Sequence, residues 1–330
     1  MGHRKYSSPR RGSVAFRPRA RAKSLEPRVR NWAQSVEDKP SIGAFAGFKV
    51  GMLNVVTVDD RERTPNFGKQ LANPSTLVAT PPLTVIGLRG YGAGNSGRHS
   101  LFDLISRDGS KDKHKKARVS FSEESIKKAD EHLNSVRTVN AVVSVSPNEV
   151  GLSQKKPYVF EVLISGGDVP QQYEYAKSIL GKKLKVNDIF RVGQAVDVAA
   201  ITRGKGVEGP ITRFGVKRKQ HKSRKSVRAV GTLGPISPAV VMYTVPRQGQ
   251  RGFHQRIEYN KRILLIGNTS DEGFEFNRKG GYNHYGSLNG DYIVVRGSIP
   301  GVPKRLIKLR NPIRYKTKKI LEPKIVEVVV

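Results

Sequence analysis

The sequence predicts a mainly β fold: a β-barrel with an inserted α/β subdomain and long irregular basic extensions. Three observations predict it. Short runs rich in Val and Ile recur along the chain, each bounded by Gly, Pro or Asp, the pattern of strands separated by turns. Only two stretches carry helix start signals, and both fall between the early and the late strands. Two segments combine dense positive charge with Gly and Pro and show no core-forming period.

Residues 1–41 read as a basic N-terminal arm of Pro, Arg, Ser and Gly that cannot build a core of its own. The strand-like runs Ala44–Val50, Asn54–Val58, Ser75–Ala79 and Leu83–Gly90 follow. Residues 42–90 therefore open the barrel, and residues 191–202 and 262–330 complete it with Ala195–Ile201, Ile263–Gly267, Tyr292–Arg296 and Lys304–Leu309. Between them, residues 91–190 are predicted to form the α/β insertion, with strands Val139–Val145 and Tyr158–Ile164. Its helices are Ser122–Leu133, which follows Ser120 with Glu123 three residues on in a capping-box pattern, and Val169–Leu180, bracketed by Asp168 and Gly181. Residues 203–261 are read as one long basic internal loop. Twelve Gly and Pro residues between Gly204 and Gly252 leave little room for regular structure. Loops of this length inside a folded chain are rare and usually functional.

The formal charge is +33, from 60 Lys and Arg against 27 Asp and Glu. It is unevenly placed. Residues 1–30 and residues 203–228 each hold ten basic residues and a single acid, Glu26 and Glu208, so these two segments supply +18. A field of this sign favours polyanions. The absence of cysteine excludes disulfides and thiolate zinc sites. No apolar run approaches the ~20 residues of a membrane helix, and no signal peptide is read, so no membrane role is predicted.

Catalytic and cofactor patterns fail on inspection. Gly204, Gly206 and Gly209 match G-x-G-x-x-G, but Pro210 and an irregular stretch follow, and no acid occurs between Glu208 and Glu258 to hold a ribose. Gly92, Gly94 and Gly97 also match. They read as a flexible loop that could lead into a short helix at Ser100–Ser106, and they carry the one enzyme alternative, a nucleotide-dependent activity. The seven histidines are scattered, so no metal site is predicted, and no acid–base pair assembles. No enzyme activity and no cofactor are expected.

The basic segments point to nucleic acid. Lys and Arg spaced along a flexible backbone neutralise successive phosphates, and Gly allows close main-chain approach. Candidate contacts in the arm are Arg4, Lys5, Arg10, Arg11, Arg17 and Arg19. In the loop they are Arg203, Lys205, Arg213, Phe214, Lys217, Arg218, Lys219, His221, Arg224, Lys225, Arg228, Arg247, Arg251 and His254. Phe214, Tyr243, Phe253 and the run Val240–Val245 have little use in a merely solvating tail. Lys304–Lys319 forms a third basic stretch, read as a further RNA contact or as a basic outer strand that resists edge pairing. Without a helix-turn-helix, zinc finger or basic zipper, long irregular arms suit structured RNA better than a DNA groove. An architectural DNA-binding protein is the alternative.

The stretch DVAAITRGKGVEGPITRFGVKRKQHK (197–222) resembles the hallmark of the universal large-subunit ribosomal protein L-three family, archaeal type. HRKYSSPRRGS (3–13), FAGFKVGM (45–52), ATPPLTVIGLRGY (79–91), NDIF (187–190), VGTLGPISPAVV (230–241), PRQGQRGFHQRIEYNKRI (246–263) and RGSIPGVPKRLIKLR (296–310) match in order and spacing. The resemblance implies a translation-protein-like β-barrel in the cytoplasmic large subunit. It implies direct binding of 23S-type rRNA, support of early assembly, and a loop that buttresses the peptidyl-transferase region. Its implied partners are rRNA and neighbouring large-subunit proteins, and not a second copy of itself. It places Arg203, Lys205, Arg213, Lys217 and Arg218 at the base of the loop and Gly234–Pro238 at its tip. It also places Gln248, His254 and Arg256 on the return strand. Ile236 stands where many relatives have Trp, and Ile neither stacks on a base nor offers an indole N–H.

Overall fold

The computed structural model describes residues 11–13, 16–34, 39–94, 97–106, 123–223, 226–271, 276–315 and 320–330. In chain order its first strands are β1 (Ser41–Ile42), β2 (Ala44–Val58), β3 (Gln70–Ala79), β4 (Leu83–Gly94) and β5 (Gly97–Ile105). Then come α1 (Glu123–Glu131), β6 (Thr138–Val145), β7 (Tyr158–Ser165), α2 (Val169–Ile179), β8 (Lys183–Leu184) and β9 (Ala195–Ile201). The loop region holds β10 (Val207–Glu208), α3 (Pro210–Phe214) and β11 (Gly249–Gln250). The chain ends with β12 (Gln255–Asn268), β13 (Asp291–Arg296), β14 (Leu306–Arg310) and β15 (Ile325–Val329).

Strands β14, β9, β12, β13, β3 and β2 are hydrogen-bonded in that order, and β2 pairs back onto β14, so the sheet closes on itself. This is the expected barrel. The runs Ala44–Val50 and Asn54–Val58 are one strand. Its first part, Ala44–Phe48, faces β14, and Asn54–Thr57 faces β15. Closure leaves no open edge along the ring, and the β-branched residues it favours are fully buried, among them Val78, Val196, Val198, Ile293, Val294 and Ile307.

The second sheet runs β1–β7–β6–β4–β5, with β8 beside β4. Leu88, Phe102, Leu104, Val139, Ala141 and Val162 are buried with Tyr173 and Ala176 of α2. The opposite face carries a polar network: Arg89 donates to both Asp103 oxygens (2.5 and 2.6 Å) and to Glu161 (2.6 Å). Helix α2 falls where its caps place it. The backbone N–H of Asp168 donates to the Gln171 side chain, and Gly181 takes the left-handed φ of +80° that ends α2. Ser120 lies outside the described residues.

Three expectations change here. The boundary at residue 90 cuts through β4, all of which pairs in the second sheet. Gly92, Gly94 and Gly97 lie in paired strands and not in a loop before a helix; Gly94 pairs with Gly97, and residues 100–105 continue as β5. Glycine hides this strand from propensity, but the Phe102 ring lies against Gly90, where a Cβ would come within 2.4 Å of it. The third difference is that β14 is no outer strand, since it pairs with β2 on one side and β9 on the other.

Buried tyrosines give the fold an alkaline limit. Burial pushes Tyr282, Tyr285 and Tyr292 from about 10 up to about 12 each. Their raised folded-state values contribute stability that is complete below pH 10 and is lost as pH rises through 12. Phenolate absorbance should therefore show these groups ionising late, in step with loss of β-sheet signal. Their ionisation near pH 10 with the fold intact would contradict it.

Candidate nucleic-acid interface

The chain divides into two compact units. One joins the segment ending at Leu25 to Ile201–Gln255; the other comprises Glu26–Ala200 and Arg256–Val330. The arm and the long loop, read as two separate extensions, thus belong together. Residues 1–25 and 201–255 contain twenty Lys and Arg and one acid, Glu208. That acid is already used: Arg251 donates to it at 2.7 Å.

The two sides of the loop are pinned where it begins and ends. The Thr202 N–H donates to the His254 carbonyl (3.0 Å), and the His254 N–H donates to the Thr202 hydroxyl (3.1 Å). Beyond them Phe253 donates to Arg203, Lys205 to Arg251 and Arg251 to Gly206, and β10 pairs with β11. Gly252 sits at φ +71°, and a Cβ there would lie 2.0 Å from the Arg203 carbonyl oxygen, so only glycine fits. After this ladder α3 makes a single helical turn, started by Pro210 and stopped by Gly215 at φ +68°.

Several candidate contacts are engaged, wholly or in part, inside the unit. Phe214 is only 7 % exposed and is not open to a base. The guanidinium carbons of Arg17, Arg19 and Arg213 lie 5.0, 4.2 and 5.1 Å from its ring centre. Arg213 donates to the carbonyls of Gln250 (3.0 Å) and Arg247 (3.2 Å), and Arg19 donates to the Arg213 carbonyl (3.0 Å). Arg17 donates through Nη1 to the Tyr243 carbonyl. A ring nitrogen of His254, Nδ1, lies 2.9 Å from the Ala20 carbonyl oxygen, and the Ala22 N–H donates to Phe253. Charge counting could not find this joint, because its partners are carbonyls up to 234 residues away.

Other candidates remain outward. Arg203, Lys205, Lys217, Arg218, Arg228 and Arg247 are exposed, as is Lys222, and none has a carboxylate partner among the described residues. Arg11, His221 and Gln248 are exposed; Lys219 and Arg256 are half-buried. Arg4, Lys5, Arg10, Arg224 and Lys225 lie outside the described residues. From Gly231 to Tyr243 every residue is exposed, with Ile236 at 97 % and Val240 at 70 %. Apolar side chains on a segment without a core of its own mark a surface completed by a partner.

The third basic stretch behaves differently. Lys308 is buried, donates to Glu26 at 2.7 Å and lies 4.0 Å from the Phe160 ring centre. Arg310 is buried against Asp197 at 3.2 Å, and Arg314 covers Tyr259 at 4.9 Å. Lys308 and Arg310 are therefore not RNA contacts in this fold. They are internal cations whose acids lie 282 and 113 residues away. Lys316, Lys318 and Lys319 lie outside the described residues.

No cluster of three or more His, Asp or Glu able to hold a metal occurs among the described residues. A closed barrel joined to a basic unit whose one acid is already paired defines a protein built to meet a polyanion. The comparisons agree. The profile of the family described as Ribosomal protein L3 matches residues 1–330. A protein of Caldivirga maquilingensis called Large ribosomal subunit protein uL3 is 42% identical over 338 residues, covering 97% of this chain and 96% of its own. Proteins of the same name from Methanococcus vannielii (40% identity, 95% and 93% covered) and Pyrobaculum aerophilum (41%, 98% and 97%) are similarly close. The chain belongs to the ribosomal protein L3 family.

Proposed function

We propose that the chain is a constituent of the cytoplasmic large ribosomal subunit, where it binds large-subunit rRNA directly, supports early assembly and braces the peptidyl-transferase region with its internal loop. Neighbouring large-subunit proteins are its other partners. One observation carries the RNA reading: the loop presents exposed cations that no carboxylate of the described chain neutralises. Such cations exchange condensed counterions for contact, which is the sequence-independent source of affinity for a nucleic-acid backbone. The apolar loop tip adds surface suited to an irregular RNA interior rather than to a regular groove.

The test replaces Lys217, Arg218 and Lys219 by Glu in the full chain. If each residue meets a phosphate, neutralising it lowers the salt slope of rRNA binding by about one, so three together by about three. Thermal unfolding of the barrel should stay within a degree or two, since all three lie in the loop and none has a carboxylate partner among the described residues. Unchanged rRNA binding would move the interface elsewhere. Competition with duplex DNA addresses the architectural alternative; structured rRNA should win.

A further inference from the structure

The arm–loop unit brings like charges together, with no carboxylate beside them among the described residues. The guanidiniums of Arg17, Arg19 and Arg213 surround one ring, that of Phe214. The only acid of residues 1–25 and 201–255 is Glu208, held by Arg251. Within this cluster the arginines are not equivalent. The Arg213 fork is occupied by carbonyls of the loop's return side, and Arg19 bonds the Arg213 carbonyl. Burial, and then the charge of Arg17, weaken the hold of Arg213 on its proton. Arg17 uses Nη1 alone, on Tyr243. Its Nε and Nη2 are buried and meet no acceptor among the described residues.

Those two nitrogens are the side-on edge of the guanidinium, the pair of parallel N–H groups that matches two oxygens of one phosphate. Burying charged donors unmet is costly, and an acceptor placed there removes the cost. We propose that the Nε–Nη2 edge of Arg17 is a phosphate-binding site, and that Arg19, Arg213 and Phe214 are its positioning residues. The inference rests on the RNA-binding reading: the phosphate is a backbone phosphodiester of RNA, taken at the joint where arm and loop meet. Contact there closes the joint, because the same guanidinium holds the Tyr243 carbonyl of the loop from its place in the arm.

The test follows hydrogen exchange of the Ala22 amide, which reports the joint through its bond to Phe253, and measures affinity for rRNA, in the full chain. Inorganic phosphate should slow that exchange more than chloride at equal ionic strength. Arg17→Lys keeps the charge but loses the fork. It should abolish the phosphate effect and weaken rRNA binding about tenfold, the scale of one charge-assisted hydrogen bond. Lys155→Glu, the same charge reversal at an exposed residue outside the arm and the loop, should keep the phosphate effect. If phosphate and chloride act alike in the wild type, or if Arg17→Lys keeps the phosphate effect, the site is wrong. A phosphate effect lost in Arg17→Lys with unchanged rRNA affinity would assign the site to a free anion and overturn the RNA source. Absence of rRNA binding by the wild type would instead overturn the broader functional reading, with the phosphate arm still deciding the site.

Discussion

Affinity of the full chain for protein-free large-subunit rRNA is expected to fall about 10³–10⁴-fold between roughly 50 and 200 mM salt. The magnitude follows from the exposed loop cations. Seven of them, Arg203, Lys205, Lys217, Arg218, Lys222, Arg228 and Arg247, stand without a carboxylate partner among the described residues. At about 0.7–0.9 counterions released per phosphate neutralised, seven contacts give a log–log slope of about −5 to −6. The buried cations Lys308 and Arg310 do not enter this number, because their charges are already met by Glu26 and Asp197. Filter binding across a salt series measures the slope. A slope shallower than about −2 would mean that the loop's charges face solvent in the complex.

The largest expected effect on stability comes from Asp197→Ala in β9. The carboxylate is fully buried and accepts from Arg310 at 3.2 and 3.3 Å, from the Asn260 N–H at 3.0 Å and from the Ile313 N–H at 3.3 Å. It joins β9 to β14, where the two residues are direct neighbours, and it also satisfies main chain of β12 and of the segment after β14. Its removal leaves the Arg310 guanidinium, 2 % exposed, without a counter-charge. Breaking such a pair from one side costs about 3–5 kcal/mol. At about 2–4 °C per kcal/mol for a body of this size, the unfolding temperature should drop by about 6–20 °C. Adding Arg310→Met should recover only part of the loss, because the Asn260 and Ile313 N–H groups stay unmet. Full recovery would show that the ion pair alone sets the cost, and a drop below about 2 °C would refute the argument.

What the sequence revealed, and what it hid, follows from the range of the interactions involved. Val- and Ile-rich runs such as Ala195–Ile201 and Tyr292–Arg296 become strands because the signal is local and the partner strand is equally apolar. The α2 caps are local too. Gly92–Gly97 is hidden because glycine carries no strand signal, and its pairing depends on neighbours such as Phe102. The charge excess of residues 203–228 is visible to simple counting. Which of those charges face outward is not, because Arg213 looks like Arg218 until Phe214 and the carbonyls of Arg247 and Gln250 are placed around it. The same blindness applies to Lys308, whose acid is far away in sequence but adjacent in space.

Strands β9 and β12 are neighbours in the barrel, and Thr202 and His254 bond across the point where the basic loop leaves and returns. In polymer terms, the loop is a single closed ring tied at its neck. The entropy lost in closing such a ring grows only logarithmically, by about 0.6 kcal/mol for each doubling of length. The barrel is thus nearly indifferent to how long the loop is. Lengthening or shortening it by ten residues would alter the folding equilibrium less than losing one buried methyl group. Its length is therefore a free variable, to be fixed by how far the tip must reach and not by what the scaffold can tolerate.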